Sequence, residues 1–399
     1  MSNEEPKKKK SSLLVKYNPQ AQPVENPLPP TSGPIQLPPK QRVKNENLPP
    51  PPTFDRNIEI IRQISESKKA GKRKQQQPKP EPKKPIHPMD RIRMFRKDKS
   101  VVFFNMGTSC LMRLFVALRS LRKYYNGHVI VLMIIDDDPL VPVIEEDLRG
   151  LFQVQVTKFP KVILDNVGCN KNTGYTIKPT IFRVGLSATD KMICSDSDVL
   201  FRTSPEPLFD MLGDNEVLVT QYRNWRSDGR MMSKRIRGFS DIFPAEEIDK
   251  AINAGPAINT GIFGVSVNSF RFMNDWQKYT MSAKCRFIVD EIICQCIYFN
   301  YKHKVLDETW NYSCLNDNFD DAKIIHFHGK KHARLHIPAS KIWLTEFQQF
   351  VEAELLPQDH ITEYVRNDPK LSAILMHNDI DQLLSGSVSA PAEKEEEQE

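Results

Sequence analysis

No run of 18 or more apolar residues occurs in the 399-residue chain, so no membrane-crossing helix is expected. The N-terminus lacks the apolar core of a signal peptide, since Leu13-Leu14-Val15 is far too short. Cysteine is sparse and unpatterned. There are seven, Cys294 and Cys296 form the only close pair, and no Cys-x-x-Cys spacing exists for a structural zinc site. An odd count with neither a framework nor an export signal predicts reduced thiols and a cytoplasmic location.

Charge is abundant but uneven. Residues 1–97 carry 22 Lys and Arg against 9 Asp and Glu, and 18 of the 30 prolines; the remainder carries 34 against 41. A basic, proline-rich segment of this kind cannot bury enough apolar surface to offset its ordering entropy, so residues 1–97 are expected to be a disordered tail. Within it, Ile58, Ile61 and Ile64 fall at helical spacing, as in a docking helix or a transient one. The tail's charge suits a polyanion, either nucleic acid or an anionic surface, and equally suits a solubilising tether.

Order is expected from residue 98. Val101-Val102-Phe103-Phe104 is a short β-rich run that ends in the small-residue loop Asn105-Met106-Gly107-Thr108-Ser109. Leu111, Leu114, Phe115, Leu118 and Leu121 then mark one face of a helix. Val129 to Ile135 is a continuous apolar strand of the kind buried on both faces, and it ends in Asp136-Asp137-Asp138. Strand, helix, strand at these lengths predicts a right-handed βαβ unit in a parallel sheet. Ligands in such sheets collect outside the carboxyl ends of the strands, where both loops lie. These loops either contact a nucleotide or cap helices through Ser109 and Asp136.

Further on, Asp165 to Thr176 reads as a loop, and Lys178-Pro179 as the opening of a helix, because Pro favours the first helical position. Met192 to Cys194 is a strand that delivers Asp196-Ser197-Asp198, followed by Val199-Leu200-Phe201. Two carboxylates this close repel unless a cation lies between them. A hard divalent ion is held by one or two carboxylates together with substrate phosphate oxygens. The alternative is a solvated Asp-Ser-Asp turn. Arg223, Arg226, Arg230, Lys234, Arg235 and Arg237 crowd a basic stretch that reads as a lid, an acceptor-binding loop or a solvated loop. Asn259-Thr260-Gly261 forms a polar corner leading into a strand. Asp290-Glu291 opens an apolar helix, where carboxylates also favour the helix dipole. His326, His328 and His332 lie within seven residues, and one of them is a candidate third metal ligand. Helices are expected from Ala339 to about Leu384, followed by an acidic end.

The order Lys-Pro helix, Asp-x-Asp-Val-Leu-Phe, Asn-Thr-Gly-Ile-Phe, Asp-Glu helix and His-Phe-x-Gly resembles a GT-A fold glycosyltransferase. It is most similar to glycosyltransferase family 8, the glycogenin and bacterial galactosyltransferase-like group, over roughly residues 100–345. The resemblance implies a Rossmann-like α/β fold with a mixed, mainly parallel sheet flanked by helices. It divides the chain into the tail, a GT-A domain at 98–345, a helical extension at 346–384 and a disordered acidic end at 385–399.

The resemblance also implies the chemistry: a hexose moved from a nucleotide-diphosphate sugar, UDP-hexose in particular, with retention, and Mn²⁺ or Mg²⁺ as cofactor. The ion would be held by Asp196, Asp198 and His326. Asn105, Gly107 and Thr108 would lie by the base and ribose, with Asp136 at the same edge. Lys178 would approach the donor, with Ser197 beside its diphosphate, while Asn259 and Gly261 would border the sugar pocket. Asp290 would bind the sugar, and Glu291 stands where members carry Gln near the reacting carbon; as a carboxylate it would stabilise oxocarbenium charge or act as nucleophile. Gly329, Lys330 and Lys331 would serve the diphosphate, because the family's later Lys-Pro-Trp is replaced here by His332-Ala333-Arg334. The first loop also lacks the family's Tyr.

Two rivals remain at this point. Nucleotidyltransferases also pair carboxylates around metal, but usually show a Gly-rich basic loop after the first strand; Asn105 to Ser109 has one glycine and no basic residue. A non-catalytic binding protein tethered to nucleic acid through its tail is the other. The acceptor is left open between glycan, protein and nucleic acid.

Overall fold

Two-residue periodicity organises the centre of the molecule. In β1 (Lys97–Met106) Val101 and Phe103 enter one apolar core, while Val102 and Phe104 enter another on the opposite face. In β2 (Val129–Ile135) Val129, Val131 and Met133 face the first core, and Ile130, Leu132 and Ile134 the second. A continuous apolar run is what a strand covered on both sides requires. The computed structural model describes residues 96–135, 140–169, 172–213, 217–329, 331–334 and 336–377. The tail with its Phe54 to Ile64 island, Asp136, Lys330 and the acidic end lie outside the described residues.

The remaining elements follow in order: α1 (Leu111–Arg122), α2 (Val141–Phe152), β3 (Gln155–Pro160), α3 (Val162–Val167), α4 (Thr173–Gly185), β4 (Thr189–Asp196), β5 (Val199–Phe201), α5 (Glu206–Met211), β6 (Val217–Arg226), α6 (Arg230–Arg237), α7 (Ala245–Asn253), β7 (Pro256–Ser266), α8 (Phe270–Ser282), α9 (Val289–Ile297), β8 (His303–Leu306), β9 (Tyr312–Ser313), β10 (Ile324–His326), α10 (Pro338–Glu352), α11 (Gln358–Arg366) and α12 (Pro369–His377). Seven strands form one sheet in the order β3-β2-β1-β4-β7-β6-β8, and β5-β10-β9 form a second. Within the larger sheet β7 alone runs against the others. This is the mixed, mainly parallel α/β arrangement expected from the sequence.

α1, α10 and α11 cover one face, where Phe115 stacks on Tyr364 at 5.4 Å and lies 6.0 Å from Phe350. The C-terminal helices therefore belong to the same core as β1, and residue 345 falls inside α10. α4, α8 and α9 cover the other face. Among the described residues no helix is long and apolar enough to cross a membrane.

Five expectations change. The basic stretch expected as a loop is instead the end of β6, which runs to Arg226, and the helix α6 from Arg230 to Arg237. The stretch from Asp165 to Thr176 is not one loop: α3 runs to Val167 and α4 opens at Thr173. Pro179 lies inside α4 rather than at its start. Thr173-Gly174-Tyr175-Thr176 are weak helix formers, so this first turn was invisible to propensity and is held by burial of Thr176 and Ile177. Asn259-Thr260-Gly261 lie within β7 rather than before it, at a bulge: Thr220 of β6 pairs with Asn259 while its neighbour Val219 pairs with Phe263. Finally, Cys169 and Cys285, 116 residues apart, form a disulfide, and the other five cysteines remain thiols. The expectation of uniformly reduced thiols is overturned, and with it the cysteine argument for a cytosol-like compartment.

Candidate active site

The site forms where β4 ends. Asp196 is the last residue of β4 and sits opposite Phe104 of central β1, so it leaves the sheet at its carboxyl edge. Ser197 and Asp198 make the turn into β5. The second sheet then brings the third donor. β10 runs antiparallel to β5 with His326 opposite Val199, and the amide of Phe327 donates to the Asp198 carbonyl at 2.8 Å. His326 Nε2 consequently lies 3.3 Å from Asp198 Oδ1 and 3.7 Å from Asp196 Oδ2. One donor atom from each of the three residues lies within 4.8 Å of the others.

Two hard oxygen donors and one imidazole on a narrow centre suit a divalent cation. The carboxylates repel each other. Burial together with the charge of Asp198 pushes Asp196 up, against the pull of Lys178 and His326. Burial also opposes the charge on Asp198, but His326 and Arg113 more than offset it and hold that carboxyl well below the usual range.

Gly261 makes room for the third donor. A Cβ at this position would lie 2.5 Å from His326 Nδ1, closer than any side chain tolerates. The role expected for Gly261, bordering the sugar, is thus joined by a steric one toward His326.

Lys178 projects from the interior of α4 and is 5% exposed. Its Nζ lies 2.7 Å from Asp196 Oδ1 and 3.4 Å from Asp290 Oδ2. It also donates to the carbonyl and hydroxyl of Thr260 at 3.1 and 3.3 Å. Burial opposes the ammonium, and the two carboxylates outweigh it, so its pKa is raised. Asp290, in the first turn of α9, accepts from Thr260 Oγ1 at 3.0 Å. Its other oxygen, Oδ1, is buried and has no hydrogen-bond partner. Trp276 Nε1 fixes the Asp290 carbonyl at 2.8 Å. Glu291 accepts from Asn259 Nδ2 at 2.6 Å. Burial, and next to it the charge of Asp290, pushes its carboxyl up to about 8.

The first loop is held by its own contacts. Asn105 is fully buried and donates Nδ2 to the Gly107 carbonyl at 2.9 Å, while its Oδ1 lacks a partner. Gly107 adopts φ +69°, a conformation glycine favours, and turns the chain into Thr108. Gly329 lies in the turn after β10, and Lys331 Nζ is 2.9 Å from the His328 carbonyl and 3.1 Å from His328 Nδ1. Burial lowers the Lys331 pKa. His332 is not a metal ligand here. It is fully buried, packs on Trp343 at 4.7 Å and meets Asp368 at 3.2 Å.

Several residues were missed in the sequence. Asn311 is buried and donates to Asn259 Oδ1 at 2.7 Å. Tyr175 is 37% exposed, and partial desolvation, followed by the nearby charges of Asp290, Asp196 and Asp198, raises its phenol to about 12. Arg113 stood visibly as a lone charge among Leu111, Met112, Leu114 and Phe115, which is a signal for a buried ion pair.

No family model and no curated protein matches the chain. Solved structures resemble it in the course of the backbone. An active-site mutant of LgtC is 15% identical over 67% of this chain and 99% of that one, with a TM-score of 0.48. Mouse xyloside xylosyltransferase 1 is 14% identical over 58% and 99%, with a TM-score of 0.41. The glycosyltransferase GlyE of Streptococcus pneumoniae TIGR4 is 13% identical over 69% and 64%, with a TM-score of 0.42. These are likenesses of fold, and the functional argument is carried by the side chains.

Proposed function

We propose that this chain is a metal-dependent glycosyltransferase of the family 8 type, moving a hexosyl group from a nucleotide-diphosphate sugar, UDP-hexose in particular, to an acceptor with retention. The observation that carries this reading is the convergence of Asp196, Asp198 and His326 at the carboxyl edge of a mainly parallel sheet, next to the Lys178–Asp290 pair. A divalent ion bound there would supply charge stabilisation to the departing diphosphate. The remaining roles belong to protein groups. Asp290 is the group we assign to a sugar hydroxyl and Asn105 the one we assign to the nucleoside, each carrying a buried Oδ1 that lacks a partner. Lys178 holds both Asp196 and Asp290 in place. Lys331, held at His328, is the basic group we assign to the diphosphate. Glu291, oriented by Asn259, is the carboxyl assigned to the anomeric carbon.

The test is nucleotide release from a panel of nucleotide sugars by wild type and Asp198→Ala, with Mn²⁺ or with chelator. Mn²⁺-dependent release from one donor, reduced about 100-fold or more in the variant, is expected. Silence with every donor, together with no metal-dependent nucleotide binding, overturns the reading.

A further inference from the structure

Four ionisable groups, Asp198, Arg113, Asp368 and His332, are joined by successive contacts that reach the C-terminal helices. Arg113 of α1 is 4% exposed. Its Nη1 is 3.9 Å from Asp198 Oδ2, and its Nε is 3.5 Å from Asp368 Oδ2. The same Asp368 oxygen meets His332 Nε2 at 3.2 Å. The remaining nitrogen of Arg113, Nη2, is committed to the Ser109 carbonyl at 3.1 Å and to Cys110 Sγ at 2.7 Å. Asp368 stands at the start of α12, where its other oxygen accepts from the amides of Lys370 and Leu371, both at 3.2 Å. Burial opposes ionisation of Asp368, and His332 and Arg113 outweigh it, so the carboxylate is held charged.

An arginine cannot shed its proton in a protein. Left alone beside Asp198, its fixed positive charge would repel a divalent cation across a distance at which protein and water screen little. Asp368 cancels that charge from the opposite side. It arrives from a segment 170 residues beyond Asp198, which has no place in the metal-ligand motif itself. We propose that Asp368 is a positioning residue for the metal site: by pairing with Arg113 from the side away from Asp198 it offsets the guanidinium charge that a cation at Asp198 would meet, so that docking of the C-terminal helices sets divalent-metal affinity. The inference rests on the reading of Asp196, Asp198 and His326 as metal ligands.

The experiment is a calorimetric Mn²⁺ titration of the full chain, without donor, for wild type, Asp368→Asn, Arg113→Gln and the double variant. Asn retains the helix-capping role of Asp, so Asp368→Asn removes chiefly the charge. It is expected to weaken Mn²⁺ about tenfold, from one unit charge at this range. The double variant, with the pair removed together, is expected within about threefold of wild type. Arg113→Gln alone is expected to bind Mn²⁺ several-fold more tightly, and it keeps the question open to test where Asp368→Asn does not fold. A purely structural role for the pair makes the double variant as weak as Asp368→Asn or weaker, and that result overturns the proposal. So does unchanged affinity in Asp368→Asn, or unchanged or weakened affinity in Arg113→Gln. A wild type that binds no Mn²⁺ overturns the metal reading itself, and this inference with it.

Discussion

Lys178 Nζ lies 2.7 Å from Asp196 Oδ1, so the first carboxylate of the Asp-Ser-Asp motif is already paired with a buried cation. The same ammonium reaches Asp290, 94 residues beyond Asp196 in the chain, at 3.4 Å. One lysine from α4 thus joins Asp196 to Asp290 across the site. The pairing also explains how two neighbouring carboxylates are tolerated by the fold: Lys178 neutralises Asp196, while His326 and Arg113 act on Asp198.

Removing that ammonium while keeping its stem leaves half-buried Asp196 and buried Asp290 without their shared cation. Lys178→Met is expected to cost about 3–5 kcal/mol of stability, the range for breaking a buried pair from one side. A divalent cation at Asp196 replaces part of the lost positive charge. Mn²⁺ is therefore expected to raise the melting temperature of Lys178→Met by more than it raises that of wild type. Equal shifts in the two proteins argue that Lys178 and the metal do not share Asp196.

Gly261→Ala tests the third ligand without touching a donor atom. The added methyl would lie 2.5 Å from His326 Nδ1, so the ring must move, at a cost of about 1–3 kcal/mol. Mn²⁺ affinity is expected to fall at least as far as in His326→Ala, with the circular dichroism spectrum unchanged. Wild-type affinity in Gly261→Ala shows that His326 is not a ligand.

The disulfide is tested by counting thiols. Cys110, Cys194, Cys294, Cys296 and Cys314 are thiols, and Cys169 is bonded to Cys285. Denatured, unreduced protein is expected to react with five equivalents of thiol reagent, and with seven after reduction. Seven before reduction returns the chain to the reduced state predicted from cysteine spacing.

What could be read from the chain was what lies close together in it. Asp196, Ser197 and Asp198 are consecutive, and the strand before them announces itself by its apolar run. His326 was legible because it sits within a short strand-end motif. The sheet's two cores were legible because alternate residues of β1 and β2 are all apolar. The groups that complete the site come from far away. Lys178 meets Asp290 only because α4 and α9 pack on the same face of the sheet. Asn311 meets Asn259, and Arg113 meets Asp368, across 52 and 255 residues, through contacts that no local period or propensity encodes. The pairing of Cys169 with Cys285 is hidden for the same reason.

Glu291 makes a pH-dependent claim. Burial raises its carboxyl from 4.5 to about 8 in the folded chain. Between these values the folded state keeps a proton that the unfolded state has released. Stability then falls as pH rises, by about 1.4 kcal/mol per unit, and the favourable contribution present below 4.5 is lost once pH passes the folded value. Glu291→Gln is uncharged at every pH and keeps the carboxamide oxygen as an acceptor for Asn259 Nδ2. In metal-free protein its stability relative to wild type is therefore expected to rise steadily from about pH 5 to about pH 8 and to level off above that. Denaturant melts of the two proteins at several pH values measure the difference directly. A difference that does not change across this window means that Glu291 is ionised in the folded protein at neutral pH. It would then stand ready in the site as an anion, with no proton to lose first.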